Sequence, residues 1–136
     1  MKYWLIDFFL ILFIFISIGC AKVEISYSGT AEDLIDTCLA NNELDFPNNS
    51  VLEIEGQIKK VFFPKDTIKN NECIILLGTN DCNIDKLEGD FVSCKFSNRL
   101  DNIIVGQNVK IQGQYKNIFR DKSGITISLK NCSFIY

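Results

Sequence analysis

The sequence predicts a mainly β protein: a small closed barrel of five strands behind one N-terminal helix, preceded by an export segment. Three observations carry this. Beyond position 50 apolar residues recur at every second position, in short runs broken by Gly, Asn and Asp, as in half-buried strands. Only residues 30–42 show helical spacing. And the first nineteen residues are almost wholly apolar. A chain of 136 residues allows one domain plus a targeting segment.

The leader comes first. Lys2 gives a weak positive start, and Phe8 to Ile16 is an unbroken apolar run. A charged start, an apolar core of ~7–15 residues and small residues before the cut describe a secretory signal peptide. Here residues 1–19 end in Ile18-Gly19, directly before Cys20. This resembles the end of a bacterial lipobox, in which the cysteine is diacylated and becomes the new N-terminus. Ser17 stands where that pattern has Leu, and Asp7 interrupts the start of the apolar stretch. An uncleaved anchor would need ~20 apolar residues, and the run after Asp7 stops at Ile18. The expectation is therefore a protein lipid-anchored to the cell envelope through Cys20. Ala21, where an Asp would mark inner-membrane retention in some Gram-negative bacteria, favours the outer membrane.

Residues 20–29 are short and mixed and read as a tether. Thr30 is a good N-cap, with Glu32 and Asp33 at the positive end of the helix that follows. Ala31, Leu34, Ile35, Cys38 and Leu39 make one apolar helical face. Asn41-Asn42 and Pro47 end the helix. The barrel is expected over 51–136. Leu52, Ile54, Gly56 and Ile58 alternate with Glu53, Glu55, Gln57 and Lys59, and Phe63-Pro64 ends that strand. Cys73 to Leu77 is a wholly apolar strand, and Gly78 to Gly89 a polar loop. Val92, Cys94 and Phe96 share one side of a third strand. Residues 97–106 have room for one helical turn around Leu100, Ile103 and Ile104. Val109, Ile111, Gly113 and Tyr115 alternate again. After a turn at Asp121-Lys122-Ser123-Gly124, the last strand begins with Ile125, Ile127 and Leu129. Its apolar phase jumps to Cys132 and Phe134, which predicts a bulge near Lys130-Asn131.

Five strands with a longer connection between the third and fourth fit the OB-fold, a small Greek-key barrel whose closure protects short strands from exposed edges. The helix at 30–42 with LEIEGQIKKV (52–61), CIILLG (73–78), VSCKF (92–96), VGQNVKIQGQY (105–115) and ISLKNCSFI (127–135) resembles the tRNA-anti-like family of bacterial OB-fold proteins. The resemblance covers 30–136. Gly106-Gln107-x-Val109-x-Ile111-x-Gly113 and Leu129-Lys130-Asn131-Cys132 are its most specific pieces. Gly106 suits a left-handed turn and Gly113 a sharp strand bend. Both reasons are structural, so the resemblance implies a fold and leaves function to the site.

Composition excludes much. The chain has no histidine, which removes the commonest general base and zinc ligand. No nucleophile–base pair is visible, and Glu53 and Glu55 are ordinary surface alternation, so no catalysis is expected. Six cysteines include no C-x-x-C pair, so no metal or other cofactor is expected. Asp81-x-Asn83-x-Asp85 starts like a calcium loop, but Lys86 replaces the glycine and Val92 the final Glu. Cys94 and Cys132, on neighbouring strands of an OB barrel, are disulfide candidates or simply two small core hydrophobes. Cys73 and Cys82, bracketing a loop, are a weaker pair.

OB-folds bind oligonucleotides or oligosaccharides on the second and third strands and their loops. Candidate ligand contacts are Lys59, Lys60 and Phe63 at the first turn, Phe91 and Lys95 on the third strand, and Phe119 and Arg120 at the last turn. Charge speaks against a dedicated nucleic-acid protein. The chain is net −3, and residues 51–136 are only mildly basic. The expected function is an envelope binding or adaptor module contacting the membrane through its lipid and an unknown protein or oligomeric ligand. A single-stranded nucleic-acid or oligosaccharide binder and a purely structural lipoprotein are the alternatives.

Overall fold

In the computed structural model, residues 23–64 and 72–136 are described. The leader and Cys20 lie outside them. Six strands and one helix form: β1 (Ile25–Thr30), α1 (Ala31–Ala40), β2 (Val51–Phe62), β3 (Cys73–Gly78), β4 (Phe91–Phe96), β5 (Asn108–Asp121) and β6 (Gly124–Phe134).

The sheet runs β1-β2-β3-β4-β6-β5 and closes through a β2–β5 pairing. Strands β2 to β6 thus make a closed five-stranded barrel of OB-fold-like topology, as the sequence predicts. Strands β4 and β6 run parallel and the other barrel pairs antiparallel. Long β2 serves two neighbours on its barrel edges: Val51 to Gln57 pairs with β5, and Ile58 to Phe62 with β3. The interior is filled by the inward set of each strand, among them Leu52, Ile54, Ile75, Leu77, Val92, Cys94, Ile111, Tyr115, Ile127 and Leu129.

Helix α1 closes the barrel with Ala31, Leu34, Ile35 and Cys38, all buried. The Asp33 N–H donates to Thr30 Oγ1 at 3.0 Å, the expected N-cap. The helix ends at Ala40, with the Asn41 N–H bonded to the Thr37 carbonyl.

Three features depart from the sequence reading. Half of the predicted tether, from Ile25 on, is β1, which runs parallel to β2 from Ile25↔Val51 to Thr30↔Glu55. Its stabilisation is backbone pairing along an edge of β2, which needs no apolar periodicity. Residues 97–107 form bends and turns, without the anticipated helical turn, although Leu100 and Ile103 pack on the core. Strand β5 continues six residues past Tyr115, paired with β6 as far as Asp121↔Gly124.

The predicted bulge is present. The β5–β6 register shifts between Gln112↔Ser133 and Gln114↔Lys130, and Asn131 adopts φ 51°. Both flagged glycines have their predicted reasons. Gly106 sits at φ 93°. A Cβ on Gly113 would come within 2.6 Å of Cys132 Sγ and 3.1 Å of Leu129 Cβ, so a strand here approaches sulfur and core too closely for any side chain.

A candidate ligand groove on the outer barrel face

Alternation decides which side chains look outward. On β4 the inward set is Val92, Cys94 and Phe96, which leaves Ser93 and Lys95 outside. On β6, Ile127 and Leu129 point in, leaving Ser128 and Lys130 outside. Because β4 and β6 are parallel neighbours with Cys94↔Leu129 in register, Lys95 and Lys130 follow side by side. Strand β5 adds Lys116 at its second bulge, between Tyr115↔Leu129 and Asn117↔Ser128. Strand β3 adds Ile74, opposite Lys95.

These residues line a groove of about 320 Å³, walled by Lys95, Lys116 and Lys130 with Glu72, Ser93, Ser128 and Asn131, with Ile74 as its accessible apolar side chain. Lys95 pairs with Glu72 at 3.1 Å. Among the described residues no carboxylate lies within ion-pair distance of Lys116 or Lys130. Phe62, opposite Ile74 on β2, extends the face, with the Lys60 ammonium 4.9 Å from its ring centre. The groove therefore offers the Lys116 and Lys130 ammonium groups, a third on Lys95 shared with Glu72, hydroxyl and amide donors, and the apolar side chain of Ile74. An extended anion with apolar segments fits that set.

Lys116 also borders a second, polar pocket of about 400 Å³ that includes Asp45, Asn48, Tyr115 and Arg120. Inside it the Tyr115 hydroxyl donates to Asp45 Oδ1. Burial and the adjacent Asp45 carboxylate hold the Tyr115 phenol far above its ordinary range. A third hollow of about 400 Å³, between Phe96, Leu100, Phe134 and Tyr136, carries no charged side chain.

The structure sorts the sequence candidates. Lys60 and Lys95 stand on the groove face. Phe91 does not serve a ligand: it is 3 % exposed, packed against Gly78 under the 79–90 loop. Lys59 turns to the side, its ammonium 2.7 Å from Gln57 Oε1 and 3.4 Å from Asn80 Oδ1. Phe63 lies beyond the end of β2 with the Arg99 guanidinium over its ring. Phe119 and Arg120 sit on the β5–β6 hairpin, exposed and apart from the groove.

The five cysteines among the described residues are free thiols. Cys73 and Cys82 are a mistaken pair. Cys73 opens β3, Cys82 packs on Gly78 at its far end, and five residues of strand separate those ends by ~16 Å. A disulfide needs Cα atoms within ~7 Å. Cys94 and Cys132 do meet, as a thiol–thiol hydrogen bond that, with full burial, pushes the Cys94 thiol well up.

Lys116, Lys130, Ser93, Ser128 and Phe62 are absent from the sequence candidates. Strand alternation and the parallel third and fifth strands of an OB barrel would have placed Lys130 beside Lys95. Nothing local announces Lys116, because a bulge puts it there.

Among the described residues no group of three or more Cys, Asp or Glu is placed to hold a metal ion. No helix among them is long and apolar enough to cross a membrane. Fold and groove together define the class: a small OB-fold-like barrel with a basic outer groove. Compared with known proteins, the chain matches no family model and no curated sequence.

Proposed function

We propose that this protein is a lipid-anchored binding module of the cell envelope, whose barrel holds an extended anionic ligand across its outer face. The observation that carries the reading is the convergence of Lys95, Lys116 and Lys130 from three strands on one groove. Of the three, Lys95 stands on the third barrel strand, part of the face where OB barrels take oligomeric ligands, and Lys116 and Lys130 flank it from the fourth and fifth. The lipobox-like Ile18-Gly19-Cys20 supports the anchor, and the resemblance to tRNA-anti-like proteins supports the binding face.

A single-stranded nucleic acid is the second reading, favoured by Phe62 next to the lysine row, a stacking platform beside a cationic track. The test is binding of a labelled oligothymidylate and of an acidic oligosaccharide across a salt series, for the native chain and for Lys95→Ala, Lys116→Ala and Lys130→Ala. Three phosphate contacts give a slope of about −2 in log K against log salt for a single strand. Each substitution should then remove about 0.7 of that slope. Binding of the saccharide alone decides against nucleic acid. Binding that the three substitutions leave unchanged removes the groove.

A further inference from the structure

The β5–β6 hairpin carries a feature that the groove does not use. Phe119 is 60 % exposed at its end, followed by exposed Arg120 and Lys122 and preceded by exposed Lys116. Asp121, the one acid there, spends its carboxylate on the Ser123 N–H, the Ser123 hydroxyl and the Gly124 N–H within the turn. An apolar ring flanked by cations on a protruding hairpin has no counterpart in the barrel's structural needs.

Register fixes where this hairpin points. Ile25 pairs with Val51, and Val51 with Gln114. Strand β1 is parallel to β2, and β5 antiparallel to it. Past Gln114, β5 therefore advances toward the side from which the chain enters β1. Phe119 lies five residues beyond Gln114, ~17 Å of strand. On the same side, five Cα steps separate Cys20 from Ile25, a reach of at most ~18 Å. The chain between Cys20 and Ile25 is thus long enough for an anchor at Cys20 and the hairpin end to meet one plane.

We propose that the hairpin is a second membrane contact: the Phe119 ring enters the interfacial layer of the bilayer that holds the lipid anchor, and Arg120 and Lys122 meet its anionic headgroups. The proposal rests on the reading of Cys20 as the lipidated residue. It joins two weak membrane signals, an interfacial aromatic and a basic cluster, to a strong one, and so fixes which way the barrel faces. The groove then opens beside the membrane rather than at a variable angle.

The composition provides a clean reporter. The only tryptophan, Trp4, is in the leader, so a processed chain has none. The full chain is expressed as Phe119→Trp and, separately, as Ile104→Trp. Ile104 is 66 % exposed and precedes β5, so the whole length of that strand separates it from Phe119. Each purified protein is reconstituted in vesicles of phosphatidylcholine and phosphatidylglycerol with brominated acyl chains. The expected result is several-fold stronger quenching and a blue-shifted emission for Phe119→Trp, with Ile104→Trp unaffected. Adding Arg120→Glu and Lys122→Glu to Phe119→Trp should reduce the quenching. Equal quenching at both positions, quenching at 104 alone, or none at 119 overturns the proposal. The intact mass of the mature chain reads the anchor separately. A lipidated Cys20 without quenching at 119 rejects the hairpin contact only. Quenching of Phe119→Trp beyond that of Ile104→Trp in a chain with unmodified Cys20, where a retained Trp4 contributes equally to both, rejects the anchor and retains the contact.

Discussion

Gly113 and Tyr115, two residues apart on β5, show how single positions hold this barrel. Both face the core, one as a glycine pressed against Cys132 and Leu129 and one as the largest ring of the core. Replacing Gly113 by Val places a branched side chain against Cys132 Sγ and Leu129, where even a Cβ has no room. Backbone and core must shift, and the expected loss is about 1–3 kcal/mol in denaturant unfolding. An unchanged midpoint would mean that β5 does not bend over Cys132. Tyr115 gives a pH dependence. Its phenol is pushed up by burial first and by the Asp45 hydrogen bond second. The unfolded phenol releases its proton near pH ~10, while the native one keeps it. Above that pH the native state binds the extra proton, so stability is complete below ~10 and falls as pH rises further. Tyr27, also raised, adds a smaller share of the same sign. Tyr115→Phe should therefore flatten the loss of stability between neutral and strongly alkaline pH. It should also cost about 1 kcal/mol at neutral pH, since Asp45 is solvent-exposed and the bond is partly screened. An unaltered alkaline slope would reject this account.

Among the elements, legibility followed the physics that stabilises each one. Strands β2, β4 and β6 bury one face, and burial writes a period of two into the sequence; β3 is legible as a short wholly apolar run, and helix α1 buries one stripe and carries its cap at Thr30. Strand β1 writes nothing. Its residues are mostly exposed, and it is held by backbone bonds to β2 and by the Tyr27 ring, 6.3 Å from Phe46. The far half of β5 was equally silent, because the bulge at Lys116 changes the phase that alternation would follow, turning Ile118 inward after Tyr115. The same bulge hid one wall of the groove, while Lys95 was visible from its strand alone. Strand β1 leads to an element-level prediction. A chain beginning at residue 30 should be less stable than one beginning at residue 23, by on the order of 1–3 kcal/mol, since it loses the parallel pairing and uncovers the β2 edge. Equal melting temperatures for the two would restore the tether reading.

For the whole molecule, charge and attachment are arranged in sequence order. The segment before the barrel is strongly acidic, and the barrel that follows is mildly basic, with three of its lysines lining one outer groove. A lipid at Cys20 would hold that barrel within a few residues of a surface, because β1 begins at Ile25 and leaves little free chain. Attachment and ligand binding then belong to separate parts, and one substitution separates them. Cys20→Ser removes the acceptor thiol, so acylation and the cut before residue 20 should both fail. The product expected is the unprocessed precursor, heavier by the leader and lacking the diacylglyceryl mass, with the barrel intact. In vesicle flotation, the membrane association that remains should come mainly from the apolar leader, and removing residues 1–19 should leave only the weak share of the Phe119 hairpin. The groove is distant from this chemistry, so the detergent-solubilised Cys20→Ser chain should bind the same anionic oligomer with the same salt slope as the native chain. Mass spectrometry of the native protein decides the first part: an N-terminus other than Cys20, or an unmodified Cys20, would refute the anchor. A changed salt slope in Cys20→Ser would refute the separation, and would mean that the lipidated N-terminus helps to form the binding face.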